Sequence, residues 1–311
     1  MPLSALSALG LATETSWGAG ADPIINLPVE PFNINFNFDN IPDQSLRGEI
    51  ARDFGIYQGV YRVDGDIDGH FYPEEMGYLL LAFFGSVTTT GTGPYEHTFS
   101  VAQVPPSLAI VDQNGVQNYM YRGLYLAEFG FSFNAAEGLL DFSSTLVGKN
   151  YTTTTASVPT ATAINPFVGW MASVSVNNTT WCKVIEFEAT LEREVTLVYT
   201  ACNTQEAYVA YVGPMAATGS MTITFDSAED FNKYLENDND KFEILFTQST
   251  GTTYKEFSFT ASKMNYGQSA AQIQRDNVDL RLMLNWNALH NATDGAPCVI
   301  SLTNSQTSYV S

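Results

Sequence analysis

The chain has 311 residues, 45% of them hydrophobic and only 15% charged, with a net charge of −20. That is enough apolar material for one large core or two medium ones, and an acidic chain without a Lys/Arg cluster argues against tight binding of phosphates. Cys182, Cys202 and Cys298 are scattered and form no CxxC pair, so neither a disulfide framework nor a zinc site is indicated, and no cofactor is expected.

Residues Met1 to Leu11 are mildly apolar but lack the basic start and long apolar run of a signal peptide. The first strong pattern is a period-two alternation. Phe32, Ile34, Phe36 and Phe38 point one way, and Asn33, Asn35, Asn37 and Asp39 the other, as in a strand with one buried face. The alternation is then lost in an excursion from Asn40 to Arg62.

Two patterns overlap next. Asp64-Gly65-Asp66-Ile67-Asp68-Gly69, with Glu75 in the twelfth place, fits the spacing of an EF-hand calcium loop. Against it, the approach Gly55 to Val63 is β-branched, aromatic and glycine-punctuated, and Ile67 stands in the loop's fourth place. The alternative is a strand with Val63, Ile67 and Phe71 inward and Asp64, Asp66, Asp68 and His70 outward. A helix is predicted from Pro73 to Phe84: Pro and two acids at its start, an apolar face, and Gly85 as the stop.

Further on, Phe129, Phe131 and Phe133 alternate with Gly130, Ser132 and Asn134. The stretch 151–176 holds Thr152 to Thr155, Pro159 and Pro166, and reads as a linker. Ile185, Phe187, Ala189 and Leu191 then alternate with Glu186, Glu188, Thr190 and Glu192, followed by a second excursion from Glu192 to Met215. A second helix is predicted from Ser227 to Leu235, with Ser227 as N-cap and acids in the first turn. The last clear strand sets Val278, Leu280, Leu282, Leu284 and Trp286 against Asp279, Arg281, Met283 and Asn285.

These elements repeat. Gly65 and Gly219, Phe71 and Phe225, Glu75 and Glu229 all share an offset of 154 residues. The fold expected is therefore mostly β, with two tandem homologous sandwich or barrel domains, each with one short flanking helix. The first would span 1–150 and the second 177–311, joined by the linker at 151–176. His70, His97 and His290 form no catalytic spacing, and no nucleophile elbow occurs, so no enzymatic site is expected.

An ordered set of short motifs runs through the first hundred residues. It comprises Glu14-Thr15-Ser16-Trp17-Gly18, Arg47-Gly48, Gly65 to Leu80 with its Pro73-Glu74-Glu75-Met76-Gly77-Tyr78 core, Phe84-Gly85, Tyr95-Glu96-His97-Thr98-Phe99 and Pro106-Ser107-Leu108. In order and spacing this resembles the tail tube (major tail) proteins of long-tailed bacteriophages. The resemblance implies a structural virion protein, assembled in the host cytoplasm, whose rings stack into a hollow tube that passes DNA without binding it specifically. Single-domain members form hexameric rings, so a duplicated chain would close a ring with three copies. Its partners would be further copies of itself, a tape measure protein, a tail terminator and baseplate proteins. The rival readings are another tail protein of the same fold, such as a terminator or baseplate hub, and a calcium-binding module.

On the tube reading, the excursions are candidate ring-stacking loops, through Ile41, Leu46, Phe54 and Tyr57 in one and Tyr199, Tyr208 and Tyr211 in the other. The outward acids Asp39, Asp64, Asp66, Asp68, Glu186, Glu188, Glu192 and Asp279 are candidates to line the lumen, where like charge would keep DNA from sticking.

Overall fold

The structure is a computed structural model that describes residues 7–162, 165–237, 239–250, 253–267, 271–275 and 279–310. The first residues of the N-terminal segment and Val278 of the last predicted alternation lie outside these. The described chain is built from nineteen strands and two α-helices, with every strand pairing antiparallel.

Strands β1 (Ala8–Thr13) and β2 (Ile25–Leu27) pair near the N-terminus. After β1 the Glu14 carboxylate is buried and accepts from the N–H groups of Gly18, Gly20 and Gly123 and from Ser107 Oγ, at 2.6 to 3.1 Å. Trp17 Nε1 donates to Gly123 O at 2.9 Å. Burial of the carboxylate is tolerated because it collects these donors. Two of the short motifs, around Glu14 and around Ser107, thus meet in one hydrogen-bonded knot.

The first long hairpin is β3 (Asn33–Asp43) with β4 (Gly55–His70). Val63 and Ile67 are fully buried, and Asp64, Asp66, Asp68 and His70 point away. The Asp-rich stretch is therefore strand from end to end, and the looped backbone that an EF-hand needs is not formed there. Much of the excursion after Asn40 is strand as well. A bulge between Phe38 and Asn40 shifts the phase, so alternation is lost while pairing continues to a tip at 44–54.

Helix α1 (Met76–Phe84) starts later than predicted, because residues 73–75 form a turn. Gly85, at φ 99°, ends it in the left-handed region. Strands β5 (Gly85–Thr90), β6 (Tyr95–Val101) and β7 (Leu108–Gln113) follow, then the long β8 (Asn118–Asn134). The first part of β8 pairs with β7, and its last part enters a different sheet. Gly123, at φ 66°, sits where the strand turns from one to the other. Strands β9 (Asp141–Gly148) and β10 (Asn150–Thr154) close this half.

The predicted linker is hydrogen-bonded at both ends: β10 lies on β8, and β11 (Ala172–Val176) lies on a later strand. After β12 (Thr179–Thr180), β13 (Val184–Val198) and β14 (Val209–Thr224) form the second long hairpin. Here too a bulge, between Arg193 and Val195, hides strand from the alternation. Helix α2 (Ala228–Glu236) has Ser227 as its N-cap, as predicted, the hydroxyl accepting from Glu229 N. The chain ends with β15 (Asn239–Thr250), β16 (Thr253–Asn265), β17 (Gln272–Arg275), β18 (Leu280–Ala288) and β19 (Val299–Asn304). Leu282, Leu284 and Trp286 are buried, but Leu280, predicted beside them, is 45% exposed at the strand's start.

The strands form two main layers. One is a single sheet in the order β3-β4-β9-β8-β13-β14-β18-β17. The other runs β5-β6-β19-β16-β15-β11-β12. Between them lies an aromatic core in which Phe131, Phe187, Phe259 and Trp286 are linked ring to ring, with Phe257 joined through Phe131. Both layers cross from the first half of the chain to the second, through β8–β13 and β6–β19.

Candidate functional site: an acidic sheet face and two hairpin arms

The inner face of the long sheet packs the core, so its outer face is left to solvent, and strand alternation decides what stands there. On β4 it carries Asp64, Asp66 and Asp68; on β13 it carries Glu186, Glu188 and Glu192. Strand pairing brings these two sets toward each other. Asp66 is opposite Thr145, Thr145 opposite Glu128, and Glu128 opposite Glu192. In the next row but one, His70, Asp141, Ser132, Glu188 and Ser220 stand side by side.

The crowding of like charge is visible in the carboxyl groups. Partial burial, then Glu192, Asp66 and Glu188, push the Glu128 carboxyl above its ordinary value. Partial burial, with Asp66 and Glu30, does the same to Asp68. The cations that meet this face are already paired. Arg62 Nε donates to Asp64 at 2.7 Å and its guanidinium lies 4.0 Å from Asp39, while Arg281 Nε donates to Asp279 at 2.9 Å. His70 Nδ1 is 2.7 Å from Asp141.

Six of the eight acids singled out in the sequence, Asp64, Asp66, Asp68, Glu186, Glu188 and Glu192, thus fall on one face of one sheet, while Asp39 stands at the β3 bulge, 4.0 Å from Arg62, and Asp279 lies just before β18, beside Arg281. Glu128 and Asp141 belong with them and escaped the sequence reading. For Glu128 the signal was present, since it lies two residues before Gly130 on the outward phase. For Asp141 the signal exists only in the pairing of β9 with His70.

The two hairpins carry most of the arm residues. At the first, Ile41 and Tyr57 are more than half exposed and Leu46 is fully exposed; of two residues not predicted, Ile50 is fully exposed and Ile56 is 70% exposed. Phe54 lies under the Arg47 guanidinium, 4.6 Å from its ring centroid. At the second, Tyr208 and Tyr211 are exposed. Tyr199 is engaged within the chain: its hydroxyl donates to Tyr61 O at 2.9 Å. The second tip rests on the first hairpin there, with Gln205 Nε2 donating to Gly59 O at 2.8 Å and Tyr61 OH donating to Glu206 at 2.9 Å.

Among the described residues, no group of three His, Cys, Asp or Glu side chains could hold a metal ion. A two-layer antiparallel protein with a cluster of carboxylates on one sheet face and exposed apolar side chains on extended arms has the form of a structural building block. Sequence comparison names the kind. The chain matches the phage tail tube protein family model over residues 4–295, and it belongs to that family. It is a structural component of the virion tail. No curated protein matches the chain in sequence.

Proposed function

We propose that this protein polymerises as stacked rings, three copies to a ring, into the hollow tail tube, and that its acidic sheet face lines the lumen through which DNA passes. The observation that carries the reading is the gathering of Asp64, Asp66, Asp68, Glu128, Glu186, Glu188 and Glu192 on one face of a sheet shared by both halves of the chain. A conduit must not hold its cargo. Each lumenal Lys or Arg would add a phosphate contact, whereas a carboxylate wall leaves DNA hydrated and mobile.

The three-copy ring is supported by the repetition along that sheet, where each chain supplies two hairpin-led strand sets side by side. Three such chains present six ring positions. The exposed arms, through Ile41, Leu46, Tyr57, Tyr208 and Tyr211, contact the adjacent ring. The tube meets a tape measure protein inside, a terminator at one end and baseplate proteins at the other.

The test replaces Asp66, Asp68, Glu186 and Glu188 together by Lys in the phage. Tubes should still form, since these side chains face away from the core, and DNA ejection should slow at low salt. Ejection at the unmodified rate from intact tubes would show that these acids do not serve the passage of DNA. Electron microscopy of the tail counts the chains per ring, and six would replace three.

A further inference from the structure

The hairpin of β7 and β8 turns through Asn114-Gly115, and no other asparagine in the chain precedes a glycine. In such a pair the backbone nitrogen of the second residue can reach the side-chain carbon of the first, because glycine has no Cβ to stand in the way. Asparagine is also among the chemically least durable residues. Whether the two atoms react depends on how the turn holds them.

This turn leaves the nucleophile free and grips the electrophile. Gly115 is exposed, and its N–H makes no hydrogen bond among the described residues. Asn114 Oδ1 accepts from two backbone donors, Val116 N at 3.0 Å and Gln117 N at 3.1 Å. Asn114 Nδ2 faces Asp112 Oδ2 at 3.4 Å. The amide is thus fixed with its oxygen toward the two N–H groups and its nitrogen toward the carboxyl. Charge that develops on Oδ1 meets donors already in place, as in an oxyanion hole.

Similar pairs elsewhere are held differently. After Asp294, Gly295 N donates to Asn291 O at 2.9 Å, so the nucleophile is engaged. Asp64-Gly65 lies inside β4, between β3 and β9. Asn304, which precedes Ser305, is fully buried, and its Nδ2 donates to Pro73 O at 2.6 Å and to the Tyr309 hydroxyl.

We propose that Asn114 is a self-modifying site, converted without an enzyme to aspartate and isoaspartate. Hydroxide takes the Gly115 N–H proton, and the nitrogen bonds to Asn114 Cγ. Nδ2 leaves as ammonia with a proton from water, which closes a five-membered succinimide and returns the hydroxide. A second water opens the ring. Cleavage at Cγ gives aspartate, and cleavage at the main-chain carbonyl carbon gives isoaspartate. The net change is amide plus water to acid plus ammonia.

The two products act on the turn differently. Aspartate keeps the Oδ1 acceptor but sets a second carboxylate beside the partly buried Asp112. Isoaspartate routes the main chain through Cβ and Cγ, so the turn loses that acceptor. The turn also fastens a neighbouring segment: Gln113 Oε1 accepts from Val158 N, and Asn118 Nδ2 donates to Ala156 O, both at 2.9 Å. The isoaspartyl chain therefore loosens at 156–158 as well as at the turn.

The experiment keeps the full chain at neutral pH beside a synthetic peptide of residues 108–122, and follows both by peptide mass mapping. Residue 114 of the folded chain should gain the amide-to-acid mass difference no more slowly than the peptide, at a rate that rises in proportion to hydroxide. Both products should form, isoaspartate being scored by an isoaspartyl methyltransferase, while the other asparagines stay intact. A folded chain with Asn114 unchanged when the peptide has passed its half-life would overturn the site. Aspartate without isoaspartate would overturn the succinimide route. N114Q, whose extra methylene disfavours ring closure, should stay unmodified at that position, and conversion at the wild-type rate would overturn the route as well. In the isoaspartyl fraction, separated by ion exchange, amide exchange at 156–158 should quicken. Unchanged exchange there would overturn the loosening.

Discussion

Helix α1 follows β4 and helix α2 follows β14 at matching places in the chain, yet all nine residues of α1 are buried while α2 buries only Asp230. The two are held by different physics. Helix α2 carries its own terminal signals: Ser227 accepts from Glu229 N at 3.2 Å, Glu229 and Asp230 lie in the first turn, and Asn237 closes the end in a left-handed turn. Ion pairs tether it, through Lys183 to Asp230 at 2.9 Å and Lys233 to Asp240. Helix α1 has no side-chain cap at its start and no charge in its terminal turns. Its neighbours supply what it lacks. The Tyr309 ring lies over Gly77, where an added side-chain carbon would come within 2.1 Å of it, and the Tyr309 hydroxyl donates to Glu74 O at 3.0 Å. A helix that is core to the whole molecule is specified by distant residues, and a surface helix by adjacent ones.

The largest expected effect comes from Arg193, which lies 3% exposed. Its guanidinium donates to Phe83 O at the end of α1, to Ala102 O and to Gly213 O, at 3.0 to 3.1 Å. A cation at a helix C-terminus is favoured by the helix dipole, and here it comes from β13 in the other half of the chain. Burial lowers its pKa without threatening its charge. R193M leaves three carbonyls without their donor, each costing roughly 1–3 kcal/mol. Chemical denaturation should show a loss of about 3 kcal/mol or more, which R193K fails to restore because one ammonium cannot span the fork. A loss under about 1 kcal/mol would mean that α1 does not depend on this bridge.

How much of this could be read in the sequence follows the same division. Both hairpins' buried faces, the outward acids of β4 and β13, and α2 with its cap were legible, because alternation and capping act over a few residues. Arg193 sits on the buried phase of the β13 alternation, two places beyond Leu191, so even its burial had a signal; its partners had none. The β8–β13 seam joins Ser132 to Glu188 and the β6–β19 seam joins Phe99 to Ile300. Pairings so distant in the chain leave no local trace. The bulges at Phe38/Asn40 and Arg193/Val195 did leave one, but a loss of phase reads equally as loop or as shifted strand.

A smaller, pH-dependent effect separates the two helix starts. Glu75, before α1, is buried with one carboxyl oxygen that has no partner among the described residues, and burial raises its pKa from 4.5 to about 7, with Glu74 adding to the rise and Lys255 opposing it. A carboxyl with a raised folded pKa favours the fold below its unfolded value, and that contribution is lost as pH rises from about 4.5 to about 7. E75Q keeps the neutral shape at every pH. Relative to wild type it should be near neutral at pH 4 and more stable by about 2–3 kcal/mol at pH 8, measured by urea denaturation at both. Equal differences at the two pH values would show that Glu75 does not titrate with folding.

The smallest effect belongs to α2 and completes the contrast. S227A removes the one side-chain oxygen that satisfies a first-turn N–H of this helix. Removing such a cap costs roughly 1 kcal/mol when the helix end contributes to global stability. Helix α2, however, is joined to the core through few buried side chains, chiefly Asp230 with Phe231 and Tyr234 packed at its margin. Its ends can therefore open without the sheets separating. Global denaturation of S227A should shift by about 1 kcal/mol or less, while amide exchange within 228–236 should quicken several-fold and exchange within α1 should stay unchanged. Faster exchange in both helices would mean that they unfold as one unit, and the distinction between a helix held by its neighbours and one held by its own ends would fail.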